Sequence, residues 1–431
     1  MNGAAVQQMP EQTGNLLVMF EPGRKPKEVE RLVSNTFGTK LVHSRDFRGL
    51  TGVAEAFLET GALSLDTLGV AVIAGTAGDG ISVAATTLGA DKAVRQIRPE
   101  FWMYTLNSWD ERYSSWVREG LSLLAEQAGI RSPLPAGPVV PAAPTLAQPS
   151  VTWGLAATKV DQSSYSGAGI KLAVLDTGLD LLHPAFAGRQ ITSKSFVPNE
   201  SEQDGQGHGT HCIGTACGPL SPADQIRFGV AYEAEIFVGK VLNNVGSGQE
   251  GWILAGIEWA VNSGCEVISM SLGRPVQIGE APDEFYENAG QFALDNGSLI
   301  IAAAGNESWR QYNSIRPVSA PANSESIMAI GAVDAKMKIA NFSCGGLNSP
   351  GGEVNLAGPG VDILSTFPMP RSYERLSGTS MATTHVAGIA ALYAQSDSNL
   401  RGKALWNALE RNAHDIGHPA RDAGAGLAIA P

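Results

Sequence analysis

Charge is scarce in this 431-residue chain. Asp, Glu, Lys and Arg make up 17%, and 30 basic residues face 42 acidic ones, for a formal net charge of −12. That balance argues against a nucleic-acid partner, which requires clustered Lys and Arg to neutralise phosphates. Cysteine is scarce too. The four, Cys212, Cys217, Cys265 and Cys344, are too few and too scattered for a disulfide framework, and the lack of a CxxC pair argues against structural zinc. Long apolar runs are missing: none approaches the roughly 20 residues that cross a bilayer. The polar stretch Met1–Gly14 lacks the apolar core of a secretory signal. As written, the chain reads as a soluble, monomeric, cytoplasmic protein without a membrane partner, or as a secreted one shown without its leader.

What is plentiful is glycine, at 50 residues, and apolar side chains, at 43%, enough for a sizeable core. The length allows two or three domains. After the polar tail 1–14, residues 15–106 read as β-α-β-β-α-β, a small α+β, ferredoxin-like unit. Its strands are expected at Leu16–Phe20, Lys40–Phe47, Leu68–Ala74 and Val94–Trp102, with helices at Lys27–Phe37 and Ile81–Gly89. The stretch Arg48–Thr67 is long for a hairpin and has room for a short helix of its own. Residues 107–149 form a third region: a helical pattern over Ser108–Ile130, then a linker in which 131–150 carry six prolines. From 150 to 431, buried-type strands alternate with helices. Strands are expected at Ile170–Leu175, Glu235–Leu242, Val267–Leu272, Leu299–Ala304 and Ile327–Val333. Continuous apolar strands with intervening helices indicate an α/β fold with a parallel sheet covered on both faces.

The chemistry-bearing residues sit at the ends of these elements. Strand Lys171–Leu175 runs into Asp176-Thr-Gly, a carboxylate at the edge where parallel sheets place ligands. His208 opens a helical pattern among small residues. Leu299–Ala304 runs into Gly305-Asn306. Ser380 lies at the start of a long small-residue helix, where free N–H groups favour developing negative charge. Taken singly, each has an ordinary structural use as a cap, a turn residue or a buried imidazole. Together, a hydroxyl, an imidazole, a carboxylate and an amide donor are the components of acyl transfer.

The flanking residues carry a resemblance. AVLDTGLD (173–180), GHGTHCIGT (207–215), AAAGNE (302–307) and LSGTSMAT…HVAG (376–388) resemble the signature segments of the subtilisin family, in the family's order. KVLNNVGSGQEGWILAGIEWAV (240–261) and EVISMSLG (266–273) are similar to the same family. The likeness runs from about Ser150 to Pro431, and the chain order Asp, His, Ser is the subtilisin order.

The resemblance implies a serine endopeptidase with Ser380 as nucleophile, His208 as general base and Asp176 orienting the imidazole. Asn306, with the Ser380 backbone N–H, would bind the oxyanion. With a base near the ordinary histidine pKa, activity should fall below neutral pH. Peptide or protein substrates would add as a strand between Gly246-Ser247-Gly248 and Ser271-Leu272-Gly273, giving broad specificity through main-chain bonds. Ala303, Ala304 and Gly305 would line the pocket for the residue before the cut, with Glu307 at its mouth; a large apolar or a basic residue should fit. Glu250 would stand at the rim of the fourth-residue pocket and favour Lys or Arg there. Residues 15–106 resemble the family's propeptide, an intramolecular inhibitor whose tail Phe101–Leu106 would fill the cleft, with self-cleavage near Tyr104–Ser108.

No cofactor and no catalytic metal are implied. Ala185 stands where an acidic calcium ligand is usual, so the strong calcium site is not expected; a weaker cation site would involve Asp334. Asp180, His183, His211 and His385 are expected to be structural, with Cys212 buried near His208. Thr384 replaces the usual proline after the first turn of the Ser380 helix. The competing readings are a peptide-binding scaffold without activity and a ligase or cyclase on the same fold.

Overall fold

The computed structural model describes residues 10–47, 53–75, 80–106, 150–223 and 225–431. The expected helix at Ser108–Ile130 and the proline-rich linker lie outside the described residues, apart from Ser150. Among those described, no helix is long and apolar enough to cross a membrane.

The N-terminal part is a sheet with strand order Val94–Thr105, Gln12–Phe20, Val70–Ile73, Ala62–Leu65, Val42–His43. Neighbours are antiparallel except the last pair. Strand alternation gives each face a different partner. Val18, Phe20, Ala71 and Ile73 pack with Val29 and Val33 of helix Pro26–Phe37 and with Leu88. Leu17, Met19, Val70 and Val72 join Ile253, Leu254 and Ile257 of helix Glu250–Asn262 in a second cluster. The sheet is therefore sandwiched between its own helices and the peptide chain that follows. Helix Pro26–Phe37 begins with proline and ends at Gly38 in the left-handed region (φ 68°), whose N–H bonds the Ser34 carbonyl.

Here the structure departs from the expected order. Lys40–Phe47 supplies only the edge strand Val42–His43 and a 3-10 turn, Ser44–Phe47. The second main strand is Ala62–Leu65, inside the stretch read as a long connection, after a helix at Val53–Thr60. Four residues after a positive-φ Gly61 are too short for periodicity to reveal, and burial on both faces removes the alternation.

The larger part is built on a seven-stranded parallel sheet, in the order Leu356–Pro359, Met328–Val333, Leu299–Ala303, Val267–Met270, Lys171–Asp176, Glu235–Lys240, Ile191–Ser195. Helices cover both faces. The two strands not foreseen are the edges, one polar (ITSKS) and one ending in Gly-Pro (LAGP), compositions tolerated at edges and absent from sheet centres. Chain order reverses between Lys171–Asp176 and Val267–Met270, which creates a crevice at their carboxyl ends. Helix Thr379–Ser396, buried from Thr379 to Ala394, packs against this sheet with its N-terminus at the crevice.

Candidate active site

Asp176 ends the strand beside the crevice, 1% exposed. His208 Nδ1 donates to it, 2.8 Å from Oδ1 and 3.0 Å from Oδ2. Helix His208–Cys217 is held in place by Asp204, which the sequence reading did not single out. Its Oδ1 accepts the Gln206 and Gly207 N–H groups and the Thr177 hydroxyl; its Oδ2 accepts the N–H and hydroxyl of Thr210. Gly207 sits at φ 107°, a turn that L side chains rarely adopt, and an added Cβ would run into Phe367. The only signal of this cap was an Asp four residues before His208 in a glycine-rich stretch. Lys240, fully buried, was also missed; its Nζ donates to the Thr177 carbonyl at 2.6 Å and to Asn244 Oδ1 at 2.9 Å.

Burial alone would lower the His208 pKa, but the Asp176 carboxylate against Nδ1 holds it well above the ordinary histidine value. Cys212 lies beside it, Sγ 3.8 Å from Nδ1, and burial pushes its own pKa up, so it stands there as a neutral thiol. His208 Nε2 is buried with no hydrogen-bond partner among the described residues. Ser380, one residue inside its helix, turns Oγ to the Ser271 carbonyl at 3.4 Å, while Ser271 Oγ donates to the Ser380 carbonyl at 3.0 Å. In this state the carboxylate–imidazole link is made and the imidazole–hydroxyl link is open. Asn306 Oδ1 accepts both the N–H and the hydroxyl of Thr379, each at 2.9 Å, which fixes the amide and leaves Nδ2 as a donor beside the helix start. Thr384, in place of proline, returns its hydroxyl to the carbonyls of Ser380 and Met381 and continues the helix.

The histidines expected to be structural, His183, His211 and His385, have such partners. His211 Nε2 bonds the Ile363 carbonyl, and burial pushes its pKa down to about 3. His385 Nδ1 bonds the Met381 carbonyl, and burial pushes its pKa down to about 4. His183 bridges the Ser372 carbonyl and the Ala185 N–H, and Asp180 accepts the N–H groups of Leu182 and Met369. Asp334 accepts the N–H groups of Lys336 and Lys338 in an exposed turn. Among the described residues, the one group of three candidate metal ligands is Asp176, His208 and Cys212, which is the site itself. All four cysteines are free and buried.

The strand Val94–Thr105 continues out of its own sheet and into the crevice. Residues Trp102–Tyr104 pair antiparallel with Ser247–Gln249, and Tyr104 and Thr105 pair with Gly273 and Leu272. The Thr105 N–H reaches the Gly246 carbonyl at 2.8 Å. Leu106, fully buried, packs its side chain on Gly273, across from Ser319. Ala303 ends the neighbouring strand, with Ala304 and Gly305 directly after it, and the Ser319 N–H bonds the Ala304 carbonyl. Glu307 turns inward. Its Oε2 accepts from Ser319 Oγ at 3.0 Å and Cys344 Sγ at 3.1 Å, and Oε1 is buried with no partner among the described residues. The carboxyl is therefore folded against Ser319 and Cys344, away from the rim position read from the sequence.

Glu250 also needs correction. Met103, the fourth residue counting Leu106 as the first, is fully buried in the apolar cluster. Glu250 instead accepts two bonds from the Arg98 guanidinium, at 2.7 and 3.2 Å, and one from the Phe101 N–H at 2.9 Å. It faces further up the inserted strand than the fourth residue. Beside it, Glu100 Oε1 accepts the Gly251 N–H, capping helix Glu250–Asn262 from the N-terminal sheet.

Comparisons with known proteins agree with this architecture. The family described as "Subtilase family" matches residues 167–427. M-protease of Shouchella clausii (strain KSM-K16) is 38% identical over 278 residues, covering 64% of this chain and 67% of that protein. Subtilisin DY of Bacillus licheniformis is 37% identical over 265 residues, covering 61% and 89%. Among solved structures, Sphericase superposes with a TM-score of 0.57 at 28% identity, covering 66% of this chain and all of that one. The chain belongs to the subtilase family and is a subtilisin-type serine endopeptidase.

Proposed function

We propose that hydrolysis runs through Asp176, His208 and Ser380, with Asn306 as oxyanion donor, in an enzyme made as a self-inhibited zymogen of broad specificity. The observation that carries the reading is the Asp176–His208 hydrogen bond, with His208 Nε2 lacking a partner among the described residues and helices His208–Cys217 and Thr379–Ser396 packed together. A turn of Ser380 about χ1, away from the Ser271 carbonyl, supplies the missing link. His208 Nε2 takes the hydroxyl proton as Oγ attacks the scissile carbonyl. Asp176 holds the Nδ1–H tautomer and stabilises the imidazolium, and the proton then passes to the leaving amine. The oxyanion is met by Asn306 Nδ2 and the Ser380 N–H, with the helix N-terminus adding to the field. Water repeats the sequence to release the acyl group. The family's chemistry uses no cofactor.

Main-chain pairing with Gly246, Ser247, Gly248, Ser271, Leu272 and Gly273 supplies affinity without reading sequence, which supports broad specificity. The pairing of Tyr104 and Thr105 with Gly273 and Leu272 supports Leu106 as the residue before the cut, with self-processing between Leu106 and Asn107. Residues 10–106 then remain as a non-covalent plug until they leave or are degraded. Purified chain incubated alone should acquire a new N-terminus at Asn107, and a covalent serine probe should label the wild type but not Ser380→Ala. Labelling of Ser380→Ala, or trimming of the pure Ser380→Ala chain at the same bond, would overturn this assignment.

A further inference from the structure

Outside the cleft, the Arg98 guanidinium lies in a pocket built by the peptidase part. Glu250 grips it with both oxygens, Asp283 Oδ2 meets NH2 at 2.6 Å, and the Phe285 ring lies beneath it, 4.7 Å from the guanidinium carbon. The two acids are 1% and 11% exposed, and Phe285 is fully buried. Each acid is anchored at a helix start: Glu250 is the first residue of Glu250–Asn262, and Asp283 caps Glu284–Asp295 by accepting the Phe285 N–H at 2.9 Å. The two helices pack against each other, so the spacing of the carboxylates is set by the peptidase fold rather than by the arginine. Bidentate geometry and a flat aromatic floor suit a guanidinium better than an ammonium. Without a cation, two largely desolvated carboxylates would face one another uncompensated.

We propose that Glu250, Asp283 and Phe285 form an arginine-binding exosite, which holds Arg98 in the zymogen and afterwards takes an arginine of a protein substrate eight residues before the residue cut. The inference rests on the hydrolytic reading above and deepens it by naming a preferred substrate feature. Arg98 precedes Leu106 by that same distance; the cleft edges align the nearer part of the strand between them, Trp102–Thr105, while Arg98, Pro99 and Phe101 pair with Gln12–Phe20. Affinity gained that far from the chemistry is shared by ground and transition states, so it appears in KM rather than kcat.

The test uses processed enzyme and two synthetic peptides with the sequence of residues 97–110, one native and one carrying citrulline, neutral and near-isosteric, in place of Arg98. The native peptide should show a KM lower by roughly 10- to 100-fold at equal kcat, the range for hydrogen bonds to charged groups. Asp283→Asn should shrink that ratio by weakening only the arginine peptide. Equal KM values for the two peptides on wild-type enzyme would overturn the exosite, whatever happens to the variant. If neither peptide is cut, the hydrolytic reading fails, and the pocket is judged on the full chain instead. There, Arg98→Gln should speed amide hydrogen exchange over residues 94–105 by roughly the same factor, and unchanged exchange would overturn it.

Discussion

Asp204 offers a sharp test of how the site is held. Its carboxylate is 3% exposed and receives bonds from Gln206, Gly207, Thr210 and Thr177, at 2.7 to 2.9 Å. Replacement by Ala removes the cap of helix His208–Cys217, about 1 kcal/mol by itself. It also strands buried donors at about 1–3 kcal/mol each, less whatever water entering the vacated space restores. A net loss of about 3–5 kcal/mol follows. Asp204→Asn keeps one acceptor oxygen but turns an NH2 toward the N–H of Thr210, for a loss of about 1–3 kcal/mol. Urea unfolding in the Ser380→Ala background, which prevents autolysis, should place the Asp204→Ala midpoint lower by roughly 1 M, given the large surface exposed by a chain of this size. Because His208 is the first residue of the freed helix, the active form should also lose about 10²-fold in kcat on a short amide substrate. A midpoint and a kcat both equal to wild type would refute the argument that this carboxylate fixes the imidazole.

Two further outcomes follow from the same geometry. Under the proposed mechanism, in which Asn306 Nδ2 acts on the oxyanion and not on the bound carbonyl, Asn306→Ala should lower kcat by about 10²–10³ with little change in KM; steady-state kinetics on an amide substrate checks it. Burial pushes the Glu100 carboxyl up to about 7 in spite of the bonds from Thr13, Asn15 and Gly251. A docked-state pKa above the free value of 4.5 means that docking is strongest below about pH 4.5 and weakens as pH rises through about 7. Release of the processed N-terminal segment, followed as recovery of hydrolysis, should therefore accelerate over that interval, and Glu100→Gln should flatten the dependence.

The parallel-sheet core was legible because its central strands are apolar runs, two of which run into distinctive short strings, Asp176-Thr-Gly and Gly305-Asn306, while Gly378-Thr-Ser380 marks the start of helix Thr379–Ser396. The edge strands were not, since Ile191–Ser195 is polar and Leu356–Pro359 ends in Gly-Pro. Ala62–Leu65 was hidden by its brevity and by tertiary burial on both faces. Within the site, motif residues could be named from their flanks, whereas Asp204 and Lys240 work through bonds to backbone atoms that no spacing rule announces. Glu250 shows the limit most plainly. Its charge was noticed, but its partner, Arg98, lies 152 residues away in sequence and on another sheet.

The Glu100 contact also bears on how the molecule comes to be assembled. An internal helix of the peptidase, Glu250–Asn262, has one of its first free amides, that of Gly251, satisfied by a carboxylate from the segment proposed to be severed. A nascent peptidase lacking residues 10–106 would have to order that helix with its N-terminus bare, and with Leu17, Met19, Val70 and Val72 missing from the cluster that Ile253, Leu254 and Ile257 join. Under the proposed processing, the shortened enzyme would persist for as long as unfolding of the remaining core is slow. A denatured, shortened chain would have to refold without that contact, so the segment, if severed as proposed, would act as a template used once per molecule.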